Sequence, residues 1–441
     1  LEKEWVTRPV LHLDLNVGLY NTPEALTRRL EDHLSLWEQE YGCDSGNGAP
    51  GSRFERIIRC ACEKTGKQVA ILVDEYDKPL IAAMDNEELD ASYRAQLKAF
   101  YGVLKSADRY IYFALLTGVT RFSHVSIFSD LNNLQDISLS MDYATLCGIT
   151  ERELTEYFKD DIGMMARANG LSYEDTLAQL RRMYDGYHFS EDSEGVYNPY
   201  SLLSAFARRR FRRFWFQTGT PTLLVNVLKA SSLTLPDLSN LSVDEDTLIG
   251  VSAKEVDIVS LFYQSGYLTI KGFDEESQQY RLGFPNEEVE SGFLNFIQPL
   301  FFNNKFGESE YGIVRFRDDL EHNDIDSFMR RVQSLLASTP NMIVGDSGKY
   351  FHNALFIIFR LLGFLCDAEV QTSQGRIDLV VRMPDVIYVM EFKYNGSAEE
   401  ALAQIDSKGY LLPYQADGRK VVKVGANFDG ASRTLKEWRL A

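Results

Sequence analysis

Arg376-Ile-Asp-Leu-Val-Val-Arg382 and, three residues further on, Val386-Ile-Tyr-Val-Met-Glu-Phe-Lys393 are two β-branched, aliphatic runs interrupted by charge. Both read as strands. The first carries Asp378 among aliphatic neighbours, and the second ends in Glu391 and Lys393. Strand side chains alternate, so Glu391 and Lys393 share one face while Phe392 takes the other. A neighbouring strand sets Asp378 beside Glu391. Two carboxylates at close range repel unless a cation lies between them. Hard oxygen ligands with positions left for water suit Mg²⁺ or Mn²⁺. A lysine next to them orients a water or neutralises charge building on a phosphate. The set amounts to the parts needed for metal-assisted hydrolysis of a phosphodiester. An acid on a strand or a terminal Glu-x-Lys arises often by chance. Charges in otherwise apolar strands are nevertheless costly to bury without a partner or a metal. From residue 341 to 441 the pattern reads helix, strand, strand, strand, helix, strand, with Gln404 on the second helix.

In that order the segment Tyr350 to Asp429 resembles the PD-(D/E)xK nuclease superfamily. It is most similar to the nuclease-like domain at the C-terminus of bacterial AAA-ATPase-like proteins. The likeness rests on YFHNALFIIFRLLGF, EVQTSQGRIDLVV, VIYVMEFKYNGSAEEALAQIDSKGYLLPY and VVKVGANFD. The resemblance implies a restriction-endonuclease-like α/β domain with Asp378 and Glu391 as metal ligands. It implies Lys393 as the catalytic lysine and support from Gln404 and Tyr410. The first helix often carries an acid in this superfamily; here it reads Tyr350-Phe-His352-Asn353, and His352 is expected to be structural.

Upstream, Pro9 to Asn16, Gln68 to Val73 and Tyr110 to Leu116 read as strands, with helical patterns between them at Thr22 to Tyr41 and Ser92 to Ala107. Strand–helix alternation implies a parallel sheet with helices on its faces. Val69-Ala-Ile-Leu-Val73 runs into Asp74-Glu75, as in a Walker B element, where the Asp holds Mg²⁺ through water and the Glu polarises the attacking water. An apolar strand followed by an acidic turn is the plain alternative. Thr117-Gly-Val-Thr-Arg121 follows the next strand. Thr117 is placed to sense a γ-phosphate, and Arg121 to pair with Asp74, Glu75 or a phosphate.

The section Leu1 to about Leu228 resembles the AAA-ATPase-like domain that accompanies such nuclease-like domains, through ILVDEYDKPL, LLTGVTRFSHVSIFSDLNNLQDISL, RRMYDGYHF, VYNPYSLL and WFQTGTPTLL. That resemblance implies a P-loop-NTPase-like sheet. No G-x-x-x-x-G-K-[ST] phosphate loop occurs in the chain. In the family a strand and that loop precede this region, so the chain is expected to begin after them. ATP is then a ligand of the complete protein, and ATPase activity is not expected of this chain.

The remaining sequence sets limits. The 441 residues suggest three sections: 1–229 ATPase-like, 230–340 a helical or winged-helix-like connector, and 341–441 nuclease-like. Within the connector, Leu248 to Tyr267 reads as helix and Tyr267 to Phe273 with Gln279 to Phe284 as a hairpin. Tyr184-Asp-Gly-Tyr-His188 reads as a turn with packing aromatics. No uncharged apolar stretch is long enough to span a bilayer, so no membrane partner is expected. The five cysteines are scattered without a CxxC, which argues against a disulfide framework and fits a cytoplasmic setting. Net charge is −18 and lies entirely ahead of Tyr350, since acids and bases balance after it. That leaves the C-terminal section as the part electrostatically open to nucleic acid. Arg208-Arg-Arg-Phe-Arg-Arg213 is the lone basic cluster, fit either to contact phosphates or to pair with the acidic bulk of its own domain. The expectation is an ATPase-coupled or ATPase-regulated, metal-dependent nuclease acting on DNA, with homo-oligomerisation left open. The rival is a nucleotide-regulated interaction protein whose nuclease fold is inactive.

Overall fold

Strand-forming runs at three places assemble the first sheet. In a computed structural model, β1 (Val10–Asp14), β2 (Val69–Asp74) and β3 (Ile111–Leu116) pair in the order β1-β2-β3, all parallel. The structure describes residues 6–44, 47–119, 127–128, 131–217, 235, 238, 241–249, 258–301, 310–337, 347–362, 366–372, 375–432 and 434–441. Alternate residues Leu11, Leu13, Val69, Ile71 and Val73 are buried, the period of a covered sheet face. Parallel strands need crossovers, and helices supply them. These are α1 (Pro23–Tyr41) and α2 (Pro50–Thr65), then α3 (Lys78–Ala83) and α4 (Glu87–Tyr101). α1 buries Leu26, Leu30, Leu34, Trp37 and Tyr41, a stripe at helical spacing. It stops at Gly42, whose φ of 61° only glycine takes without strain and whose N–H reaches Glu38 O.

The chain divides into two units, Leu1–Ser140 with Val243–Gly266, and Met141–Ser242 with Tyr267–Ala441. In the first unit α1 and α2 are fastened together. Arg53 binds Glu38 through two bonds, Nε to Oε1 at 2.9 Å and Nη2 to Oε2 at 2.7 Å. Cys43 and Cys60 are joined as a disulfide, with Cα atoms 6.1 Å apart and a sequence separation of 17. This corrects the expectation, drawn from the scattered cysteines, that the chain carries no disulfide. The helix pairing that brings the end of α1 against α2 is a tertiary event that sequence spacing does not reveal. Cys62, two residues on and turned away, stays a thiol. A loop of this length is worth about 3 kcal/mol in chain-entropy terms. Dithiothreitol should therefore lower the urea-unfolding free energy of this unit by about that amount. The same reductant should leave a Cys43→Ser variant unchanged.

The second unit opens with four helices. They are α5 (Glu151–Tyr157), α6 (Lys159–Asn169), α7 (Tyr173–Tyr184) and α8 (Pro199–Arg208). Thr150 and Glu153 form a capping box at the start of α5. Leu154, Ile162, Met165, Leu180, Tyr184, Tyr197, Leu202 and Phe214 make their common core. As expected, the aromatics of the Tyr184–His188 turn pack inward, and Gly186 supplies its φ of 101°. The hairpin is β4 (Thr269–Asp274) and β5 (Gln279–Gly283), antiparallel. The stretch Leu248 to Tyr267, all but its last residue in the first unit, has described helices at Glu245–Ile249 and Ile258–Gln264. Three helices absent from the sequence expectations follow the hairpin: α9 (Glu287–Phe301), α10 (Glu310–Glu321) and α11 (Ile325–Ala337).

The C-terminal section begins with α12 (Ser347–Leu361) and continues as β6 (Cys366–Thr372), β7 (Gly375–Arg382), β8 (Val386–Tyr394), α13 (Ala398–Ser407) and β9 (Lys420–Asp429). A further strand, β10 (Thr434–Leu440), was not among the expected elements. The sheet order is β10-β9-β8-β7-β6. β8 and β9 run parallel, joined through α13, and the other pairs are antiparallel. β8 is central, and Val386 to Glu391 are buried without interruption. The chain is thus mixed α/β, with a parallel sheet in the first unit and a mixed sheet in the second. Among the described residues no helix is long and apolar enough to cross a membrane.

Candidate active site

β7 and β8 pair antiparallel, with Leu379 opposite Met390. One step along that ladder brings Asp378 level with Glu391. Asp378 Oδ2 accepts the backbone N–H of Phe392 at 2.8 Å, which ties the carboxylate to the neighbouring strand. Glu391 is 2 % exposed, and its Oε2 has no hydrogen-bond partner. Burial, then the Asp378 charge, pushes its pKa up to about 7, while Lys393 pulls it down. Lys393 Nζ lies 3.6 Å from Glu391 Oε1.

Gln404 closes the group. Lys393 Nζ donates to Gln404 Oε1, and Gln404 Nε2 donates to Glu391 Oε1. Two features of the sequence put Gln404 there. First, α13 is nucleated by a capping box in which Ser397 Oγ accepts from Glu400 N and the Glu400 carboxylate accepts from Ser397 N. Secondly, Gly425 on β9 stands in register with Glu391. A Cβ at Gly425 would strike Ala398 O and lie 2.8 Å from Leu402 Cγ. The bare backbone at 425 lets α13 lie close on the sheet, so that Gln404 reaches the carboxylate row. Ser397→Ala should cost about 1 kcal/mol of stability by thermal or urea unfolding.

Two residues that the sequence reading did not single out hold the turn before α13. Asn427 Oδ1 accepts from Gly396 N at 2.9 Å, and Glu437 Oε1 accepts from Ala398 N at 3.1 Å. Asn427 is a polar residue in an apolar strand, a signal present in the sequence. Glu437 lies on the unexpected strand β10, so nothing local marked it. Tyr410 is buried with Ile405 and Tyr414 in the core under the sheet. The side chain of His352 lies outside the described residues, and Asn353 Oδ1 accepts from Leu235 N at 2.8 Å.

The residues present fit a hard divalent cation. Glu391 Oε2 is buried without a donor beside a second carboxylate, an oxygen set that a hard divalent cation would satisfy. Asp378 and Glu391 would be its oxygen donors. Among the described residues no group of three His, Cys, Asp or Glu gathers round a common point.

In the first unit, the carboxyl ends of the three parallel strands collect a second polar group. Asp14 and Asp74 are in register on β1 and β2. Thr117 Oγ1 donates to Asp74 Oδ1 at 2.7 Å, so these two expected residues meet. Glu75 turns out of β2 with φ 56°, and burial followed by the Asp77 charge raises its pKa. Asp77 is fully buried, and its Oδ1 accepts from Val119 N at 3.2 Å. It is the acid that the reading of Asp74-Glu75 passed over, although it lies in the same acidic run. Arg29 donates to Asp14 O at 2.8 Å from Nη2. Arg121 lies outside the described residues.

Fold and site together define an α/β protein with one carboxylate-lined sheet end in each unit. A family model of predicted AAA-ATPases matches residues 1–128, and one of the PD-(D/E)XK nuclease superfamily matches residues 347–438. The chain is 33 % identical over 443 positions to a protein of Azotobacter chroococcum mcd 1 described as "Uncharacterized protein in vnfD 5'region", covering 98 % of this chain and 83 % of that one. No solved structure matches. The chain belongs to the same family as the Azotobacter protein, and it is an AAA-ATPase-like protein with a C-terminal PD-(D/E)XK nuclease superfamily domain.

Proposed function

We propose that the chain is a metal-dependent nuclease that hydrolyses phosphodiester bonds in DNA, with its site at Asp378, Glu391, Lys393 and Gln404. The observation that carries this is Glu391: nearly sealed from solvent, with one oxygen lacking a donor, beside a second carboxylate and a lysine. In this reading Asp378 and Glu391 hold Mg²⁺ or Mn²⁺. Such an ion, when bound, supplies Lewis acidity and an activated water. Lys393 stabilises charge developing on the phosphoryl oxygens, and Gln404 fixes both the ammonium and Glu391 Oε1 in place. Phe392 N holds Asp378 in its orientation. The C-terminal sheet is read as restriction-endonuclease-like.

The first unit is read as a P-loop-NTPase-like regulator, with Asp74 as the water-mediated Mg²⁺ ligand, Glu75 as the water-polarising acid, Thr117 as the sensor and Arg121 as a phosphate partner. ATP is the nucleotide proposed for this unit, and the setting is read as the bacterial cytoplasm. The test is incubation of purified chain with plasmid, single-stranded DNA and RNA in Mg²⁺, Mn²⁺ or EDTA. Cleavage of DNA that needs the metal supports the reading. Lack of cleavage in any condition, with no metal-induced stabilisation, favours an interaction protein with an inactive nuclease fold.

A further inference from the structure

Arg208-Arg-Arg-Phe-Arg-Arg213 sets five guanidinium groups in a chain of net charge −18. All five side chains are exposed. The backbone beneath them is tied down. Arg209 leaves α8 with φ 51°, its N–H on Phe206 O at 3.2 Å, and Arg210 N–H donates to Ala205 O at 3.2 Å. Asn169 Nδ2 donates to Arg209 O at 3.1 Å. The buried Tyr184 hydroxyl accepts from Arg212 N at 3.0 Å and donates to Arg212 O at 2.9 Å. Just beyond, the buried Glu288 carboxylate accepts from the N–H groups of Phe214 and Trp215. Phe214 is fully buried, and Arg208 lies over its ring at 5.4 Å.

If the cluster served the acidic bulk of its own domain, carboxylates would face it. Among the described residues Arg208, Arg209, Arg210 and Arg212 make no ion pair with a carboxylate. Arg209 Nη2 has a sulfur contact, 3.8 Å to Met164. Arg213 Nη1 donates to Ser291 O on α9 at 3.2 Å. The preceding residue of α9, Glu290, pairs at 2.8 Å with Arg360 of α12, the helix ahead of the carboxylate-bearing sheet. The loop is thus built into the unit that holds Asp378 and Glu391.

Exposed like charges side by side repel one another, and a polyanion relieves that repulsion. Guanidinium groups match phosphate oxygens with paired donors. A backbone already pinned loses little freedom on binding. We propose that the Arg208–Arg213 loop is a docking element for the phosphate backbone of DNA, holding the strand that the C-terminal site cleaves. The choice of DNA as the polyanion rests on the nuclease reading.

The test measures binding of a labelled duplex in EDTA over a range of salt concentrations. It compares the parent with Arg209→Ala/Arg210→Ala/Arg212→Ala and with the corresponding triple Lys variant, all checked for melting temperature. Each lost phosphate contact removes about 0.9 from the slope of log affinity against log salt. The Ala variant should therefore lose about 2–3 from the slope and bind about tenfold or more weakly. The Lys variant should keep the slope. If the Ala variant is unstable, Arg210→Glu, a single exposed change, should still lower both quantities.

Equal affinity and slope in parent and Ala variant overturn the proposal. So does loop-dependent binding to phosphatidylglycerol vesicles with loop-independent binding to DNA. Lys393→Ala separates this proposal from the nuclease reading. Lys393-dependent cleavage with an unaffected Ala variant sinks the loop alone. Loop-dependent binding with cleavage that ignores Lys393 sinks the catalytic assignment alone.

Discussion

Lys393→Ala should lower Mg²⁺-dependent DNA cleavage by about 10²–10³-fold, the loss typical of removing one preorganised donor from a developing oxyanion. The side chain is 27 % exposed, so its ammonium can face substrate while its stem is held by the sheet. Its hydrogen bond to Gln404 and its 3.6 Å approach to Glu391 fix where that charge sits. The metal-dependent rise in melting temperature should persist in this variant, because the two carboxylates remain. Initial rates at saturating metal, beside a thermal-shift titration, read the two quantities separately. An unchanged rate would remove Lys393 from the chemistry. A lost thermal shift would make it part of the metal-binding group instead.

Gly425→Ala should disturb the site from a distance. The added methyl meets the carbonyl of Ala398 and the Leu402 side chain on α13. A backbone carbonyl in a capped first turn cannot rotate away. The helix must lift, at a cost of about 1–3 kcal/mol, the range for overpacking. Lifting α13 withdraws Gln404 from both Lys393 and Glu391. The expected result is a lower melting temperature together with a fall in cleavage at least as large as that of Gln404→Ala. A variant with wild-type activity and stability would show that close approach of α13 is not what places Gln404.

Much of this was legible because the chemistry lies in local patterns. The alternation of Val386 to Lys393 put Glu391 and Lys393 on one face, and aliphatic runs announced all three parallel strands. Thr117 and Asp74 end neighbouring strands, but the sequence pointed Thr117 at a γ-phosphate and offered Arg121 to Asp74, so their hydrogen bond is a finding of the structure. What stayed hidden depends on long-range packing. The Thr434 to Leu440 run is half polar, as an edge strand with one solvated side must be, and it lacks the apolar density that marked the others. The Cys43–Cys60 bond exists because α1 and α2 lie side by side. The caps from Asn427 and Glu437 reach α13 across 31 and 39 positions of sequence, beyond any motif. Helices α9 to α11 carry ordinary amphipathic patterns that the hairpin reading overshadowed.

Asp378 and Glu391 are proposed to share a divalent cation that drives phosphodiester cleavage. The most direct test is Asp378→Ala, assayed beside the parent for Mg²⁺-dependent plasmid cleavage and for the thermal shift on adding Mn²⁺. The account predicts that the parent cleaves and is stabilised by metal, and that the variant does neither. Metal-dependent cleavage that survives in the pure variant, or stabilisation of equal size in both, would contradict it.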